Sequence, residues 1–162
     1  MSVTLAQGLT SALARIGLPA PDRLERLSGG ANMESWRFSA GDALCVLRRA
    51  PSLEMMVGRP LDHAAEAALI RAARGAGVTA PEIVAELCET DGIGTGFIMR
   101  ALPGGADPAT ILAESDPAAL ITAIGRELAA IHRTDCAGLA VPEMETSAAL
   151  AELRRRCGEY GG

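Results

Sequence analysis

At 162 residues, 49% of them apolar, the chain is long enough for one domain with its own core and too apolar to be disordered. A formal net charge of -5 argues against a dedicated nucleic-acid binder, and the four cysteines (Cys45, Cys88, Cys136, Cys157) share no CxxC spacing that would announce a disulfide framework. The N-terminus carries no basic leader and no run reaches about eighteen apolar residues, so a cytoplasmic protein without signal peptide or membrane span is expected.

Leu5, Leu9, Leu13 and Ile16 recur at helical spacing, which predicts an amphipathic helix over residues 3–16, ended by Gly17 and Pro19. Residues 27–48 then read as a strand, a small-residue loop, a strand, a tight turn and a third strand. Trp36 and Phe38 alternate with Arg37 and Ser39 at the period of a half-buried strand, and Gly41 supplies the turn. Residues 43–47 are continuously apolar, as in a strand covered on both faces, and Arg48 closes them. Arg48 faces the loop Ser28, Gly29, Gly30, Ala31, Asn32, which presents backbone N–H groups with little side chain in the way and suits a phosphate-sized anion. Residues 52–60 show no period and read as a loop. Asp62 is the expected N-cap of a helix to about Arg74, stopped by Gly75 and Gly77. Residues 78–88 pass from loop to strand, Thr90, Asp91 and Gly92 signal a turn, and residues 96–100 return as a strand. Gly92, Gly94 and Gly96 imitate a dinucleotide fingerprint but precede a strand, the wrong context, and are taken as a turn. Cys45 and Cys88 sit in apolar runs and are expected in the core. Residues 101–108 form a Pro- and Gly-rich linker, and everything beyond reads helical. Asp116 caps and Pro117 starts one helix, with Ile121, Ile124, Leu128 and Ile131 as its buried face; another runs over residues 147–157, where Arg154, Arg155 and Arg156 read as a solvated helix face. His63, three residues before Glu66, is expected on a helix surface. His132 and Cys136 do not complete a metal site, and His132 is expected to be structural.

The segments 27–32, 46–51, 66–71 with 77–82, 97–100 with 102–105, and 128–133 resemble, in order and spacing, the aminoglycoside phosphotransferase-like group of the kinase-like superfamily. The resemblance implies an α+β fold: over residues 1–100 a protein-kinase-like small lobe, an antiparallel sheet of about five strands with one inserted helix, behind an N-terminal helix. A hinge at 101–108 and the helical start of a truncated large lobe at 109–162 complete it. It implies ATP as cofactor, a small-molecule hydroxyl as acceptor, and a phosphate-covering role for residues 28–32. Arg48 stands where many kinases carry the third-strand Lys, Glu66 would hold it by an ion pair, and Met99, Arg100 and Leu102 belong to the hinge whose backbone reads adenine. A strand-end surface cation and a solvated helix carboxylate are the plainer readings of Arg48 and Glu66.

The family's acceptor-activating Asp and its magnesium ligands lie on a His-Gly-Asp…Asn loop and a later Asp-bearing strand, and no His-Gly-Asp occurs in these 162 residues. Magnesium is therefore expected of the family, without ligands in this stretch. Two readings follow: the nucleotide-binding part of an ATP-dependent phosphotransferase, inactive by itself, or a non-catalytic kinase-like module docking through its apolar helices. Nucleotide is the expected small partner, neither nucleic acid nor membrane is expected, and a homo-oligomer or a partner chain would cover the helical face.

Overall fold

The computed structural model describes residues 3–28, 33–105, 107–142 and 145–160. Among these residues five strands form one open sheet: β1 (Asp22–Arg26), β2 (Glu34–Ala40), β3 (Ala43–Ala50), β4 (Ile83–Glu86) and β5 (Thr95–Arg100), in the order β1-β2-β3-β5-β4. Every pairing is antiparallel. The first strand ends at Arg26, just ahead of Leu27, where the sequence pattern starts it.

Helix α1 (Leu5–Ala14) covers one face of this sheet. Thr4 and Gln7 close a capping box at its start, satisfying amides that a first helical turn leaves without partners. Residues opposite one another in adjacent strands share a face, so the register puts Trp36 with Leu47, Phe38 with Cys45, and Leu47 with Ile98 on a common side. Leu9, Ala12 and Leu13 of α1 pack onto that side and form the core with Phe38, Cys45, Leu47, Ile93 and Ile98.

A buried carboxylate fastens α1 to the sheet. Asp91, 1% exposed, accepts from Arg15 Nη1 just past α1 and from the Cys88 amide at 2.8 Å, while Arg15 Nη2 donates to the Glu86 carbonyl at 3.1 Å. Burial alone would raise the Asp91 carboxyl, but the hydrogen bonds from Arg15 and Cys88 outweigh it and hold the group below its ordinary value. The glycines around this lock serve packing. A Cβ on Gly8 would lie 2.3 Å from Ile93 Cγ2, and one on Gly94, at φ +85°, would lie 2.1 Å from the Ala50 carbonyl oxygen. The run Gly92, Gly94, Gly96 therefore lets the turn and β5 approach their neighbours.

The opposite face takes helix α2 (His63–Gly75), capped by Asp62, whose side chain accepts from the Ala65 amide at 2.7 Å. It packs chiefly on β4 and β5. Coverage is thus one-sided along part of β3. Cys45 and Leu47 are fully buried under α1, but Leu44, expected to be covered, is 47% exposed because α2 does not reach it. Cys88 is also exposed rather than in the core, because the chain leaves the sheet after Glu86 and enters a 3-10 turn, Glu89–Asp91.

Beyond the sheet lie α3 (Pro108–Glu114), α4 (Pro117–His132) and α5 (Thr146–Tyr160). Asp107 and Asp116 cap α3 and α4, each followed by a proline in the first turn. Helix begins at Pro108, the last residue of the expected linker. The apolar stripe of α4 is not buried: Ile121, Ile124, Leu128 and Ile131 are 70, 58, 50 and 49% exposed, since nothing among the described residues packs across it. Glu127 ties α4 back to the loop after α2, accepting from Thr79 N at 3.0 Å and Thr79 Oγ1 at 2.6 Å.

Replacing Asp91 by Asn should cost about 2–3 kcal/mol in urea unfolding near neutral pH, the range for hydrogen bonds to a charged group, since Arg15 is partly solvated. The sign with pH follows from the lowered pKa: the stabilisation is present above the unfolded carboxyl value of about 3.9 and is lost as pH falls below it. Urea midpoints of the two proteins should therefore converge in acid.

Candidate functional site

Arg48 and Arg49 are adjacent in β3, and a strand's two-residue period sends them to opposite faces. Arg49 belongs to the α1 side, opposite Glu34 and Gly96. Its Nε and Nη2 donate to Glu34 Oε2 at 2.9 and 2.7 Å and its Nη1 to the Ile93 carbonyl at 2.9 Å. Burial would raise the Glu34 carboxyl, yet the hydrogen bonds from Trp36 and Arg49 and the charges of Arg49 and Arg26 bring it below its ordinary value. All three nitrogens of Arg49 are committed to holding β2 and the β5 turn.

Arg48 lies opposite Ser35 and Phe97 on the α2 side. Its Nε donates to Glu66 Oε1 at 2.8 Å, which joins β3 to the first turn of α2. The two side chains are 27 and 29% exposed, and the Arg48 Nη nitrogens have no partner among the described residues. A cation is thus held in place by one nitrogen and keeps its donor fork for something else.

The same face continues from Arg48 into apolar surface. Leu44 and Val46 precede it at two-residue steps, and Val46, Met99 and Ile83 lie side by side across β3, β5 and β4. Val46, Met99 and Ile83 are half-buried and Leu44 is exposed, so the patch is a flat, open floor beside a cation. At its rim the backbone amides at the end of β5 are mostly spent: Arg100 N donates to the Glu82 carbonyl at 2.8 Å and Ala101 N to the Leu44 carbonyl at 2.9 Å. Pro103 has no N–H. Leu102, 47% exposed, carries the amide between them, with no partner among the described residues.

Of the ten residues singled out in the sequence, Arg48 and Glu66 are in contact, Met99 and Leu102 border the same face, and Arg100 is paired with Glu82 at 3.7 Å. Ser28 is described and exposed, whereas Gly29, Gly30, Ala31 and Asn32 lie outside the described residues. A cavity of about 320 Å³ lined by Glu25, Arg37, Ser39 and Leu44 opens at the hairpin end of this face. A larger one of about 480 Å³ lies by Ser52, Leu87 and Thr95, with Glu89 as its charged side chain, which repels phosphate. His132 is exposed at the end of α4. His63 is not on the helix surface as its spacing suggests: it is 2% exposed, against β5.

The family model described as "Phosphotransferase enzyme family" matches residues 23–160. The chain belongs to the phosphotransferase enzyme family. No curated protein and no solved structure matches it. Phosphotransferases of this family generally use ATP with magnesium, and the two groups fit these residues unequally. The free fork of Arg48 beside an apolar floor suits the phosphates and base of a nucleotide. The magnesium donor set does not fit: the carboxylate at the site, Glu66, is committed to Arg48, and among the described residues no three His, Cys, Asp or Glu side chains converge.

The arginines should separate in a stability measurement. Arg49→Ala should lower urea stability by about 2 kcal/mol, leaving Glu34 and the Ile93 carbonyl without their donor. Arg48→Ala should cost under about 1 kcal/mol, because its single ion pair is partly solvated.

Proposed function

We propose that this chain is the nucleotide-binding part of an ATP-dependent phosphotransferase acting on a small-molecule hydroxyl, inactive by itself. The observation that carries this reading is Arg48, held by Glu66 through Nε alone, with both Nη nitrogens turned to no other described group. Its charge would pair with the nucleotide phosphates, the floor of Val46, Met99 and Leu44 would take the base, and the Leu102 amide would read the adenine edge. The glycine loop of residues 28–32 would cover the phosphates from above.

Transfer itself needs more than this. An acceptor hydroxyl must be oriented and deprotonated and the migrating charge neutralised, which the family assigns to carboxylate and amide side chains on a His-Gly-Asp…Asn loop and a later strand. That motif does not occur in these 162 residues, so binding without turnover is the expected behaviour of this chain.

A second reading, a non-catalytic kinase-like module, is favoured by one observation, the exposed stripe of Ile121, Ile124, Leu128 and Ile131. A second copy or a partner chain would then seat on it. The experiment is calorimetric titration with ATP and magnesium. The nucleotide reading predicts saturable binding that Arg48→Ala weakens about tenfold, the loss of roughly one charge-assisted contact. Absence of binding by a folded sample would remove it and leave the docking reading.

A further inference from the structure

His63 is a buried imidazole that nothing above uses. It is the first residue of α2, 2% exposed, and its ring meets Phe97 edge-on at 6.0 Å and 74°. Nδ1 lies 3.4 Å from Thr95 Oγ1, and Nε2 is buried with no partner among the described residues. An unpartnered buried polar atom is unfavourable, so the ring's place calls for a physical reason. Phe97 is the residue directly opposite Arg48 in the sheet, and Glu66 follows His63 by three positions, on the same side of α2. The ring therefore plants the start of α2 on β5 at the level where Glu66, in the same first turn, must reach across to β3.

We propose that His63, as the neutral imidazole, is the positioning residue that keeps Glu66 on Arg48, and that its protonation releases the pair. Every element around it bears on its charge. From β3 comes the Arg48 guanidinium, from the loop before α2 comes Arg59, and from α2 itself come Asp62 and Glu66; β5 contributes the hydroxyl of Thr95 and the ring of Phe97, neither of which carries a charge near neutral pH. Burial comes first in holding the imidazole below its ordinary value, with Arg48 and Arg59 adding to it against Glu66 and Asp62. The N-terminal end of α2 disfavours a cation too, and Asp62 is occupied as N-cap on Ala65. A protonated ring thus has no committed counter-charge, and leaving the pocket would carry the first turn of α2 with it.

The sign follows. A depressed imidazole leaves the unfolded or undocked state binding the extra proton, so docking is complete above the ordinary value of about 6.5 and is lost as pH falls below it. The consequence for phosphate binding rests on the reading of Arg48 given above, but the coupling between the three residues does not.

Nuclear magnetic resonance on the whole chain, without any nucleotide, tests this directly. The His63 ring and the Arg48 Nε–H group are followed in the same samples from about pH 7.5 to about pH 5. The expected result is that the Arg48 Nε–H resonance shifts from its Glu66-paired position toward that of a solvated guanidinium in step with the His63 titration, by more than about half of that difference. In His63→Phe, which keeps a ring against Phe97 and cannot titrate, the Arg48 signal should stay constant over that range. An Arg48 resonance that ignores the His63 titration in the wild-type chain overturns the proposal, and so does an equal shift with pH in His63→Phe. Unfolding of the whole chain in step with His63, read from the α1 amides, also overturns it, because the ring would then serve the fold and not the pair. Coupling without ATP binding would sustain this inference while removing the nucleotide reading; ATP binding without coupling would do the reverse.

Discussion

Strand β3 carries two guanidinium groups in succession, and the pleat of a strand cannot turn both to the same side. That constraint divides the molecule. On the α1 side Arg49 is spent on Glu34 and Ile93, and with the Arg15–Asp91 lock and the core around Phe38 and Leu47 it holds the sheet together. On the α2 side Arg48 is fixed by one nitrogen and has no other partner among the described residues, next to an apolar floor that none of them covers. Among the described residues α1 covers one face, and α2 covers the other only in part. A sheet face left partly open beside a cation suits the nucleotide proposed above.

Local signals carried far in this chain because local physics decides the features they report. Helix starts were legible: Asp62 and the Asp116–Pro117 pair cap as their chemistry demands. The stripe of Leu5, Leu9 and Leu13 specified α1, and the alternation around Trp36 and Phe38 specified β2. What sequence could not supply was coverage, which depends on where a distant element comes to rest. Leu44 and the stripe from Ile121 to Ile131 have every local mark of buried residues and remain exposed, since no described element lies over them. Cys88 fails for a related reason, as its apolar run outlasts the strand that begins it.

The site shows the same division. Arg48 with Glu66 was implied by the resemblance to the phosphotransferase group rather than by local pattern, and the structure brings the two side chains together. The different fates of Arg48 and Arg49 were also available from the two-residue period of a strand, had both been followed to a face. His63 was not. A histidine at the first position of a helix, followed by Glu66, has the pattern of solvated surface, and only the approach of β5, with Thr95 and Phe97 far along the chain, buries it. Thr79 with Glu127 is equally long-range and leaves no local trace.

The most direct measurement is a single one: the side-chain Nε–H resonances of Arg48 and Arg49 recorded together while ATP is added. The account predicts that Arg48 moves in a saturable way, because its free fork engages the phosphates, while Arg49, committed to Glu34 and Ile93 on the other face, stays where it was. Movement of Arg49 with Arg48 unchanged, or no movement of either at saturating nucleotide, would contradict the division of the sheet into a structural and a binding face.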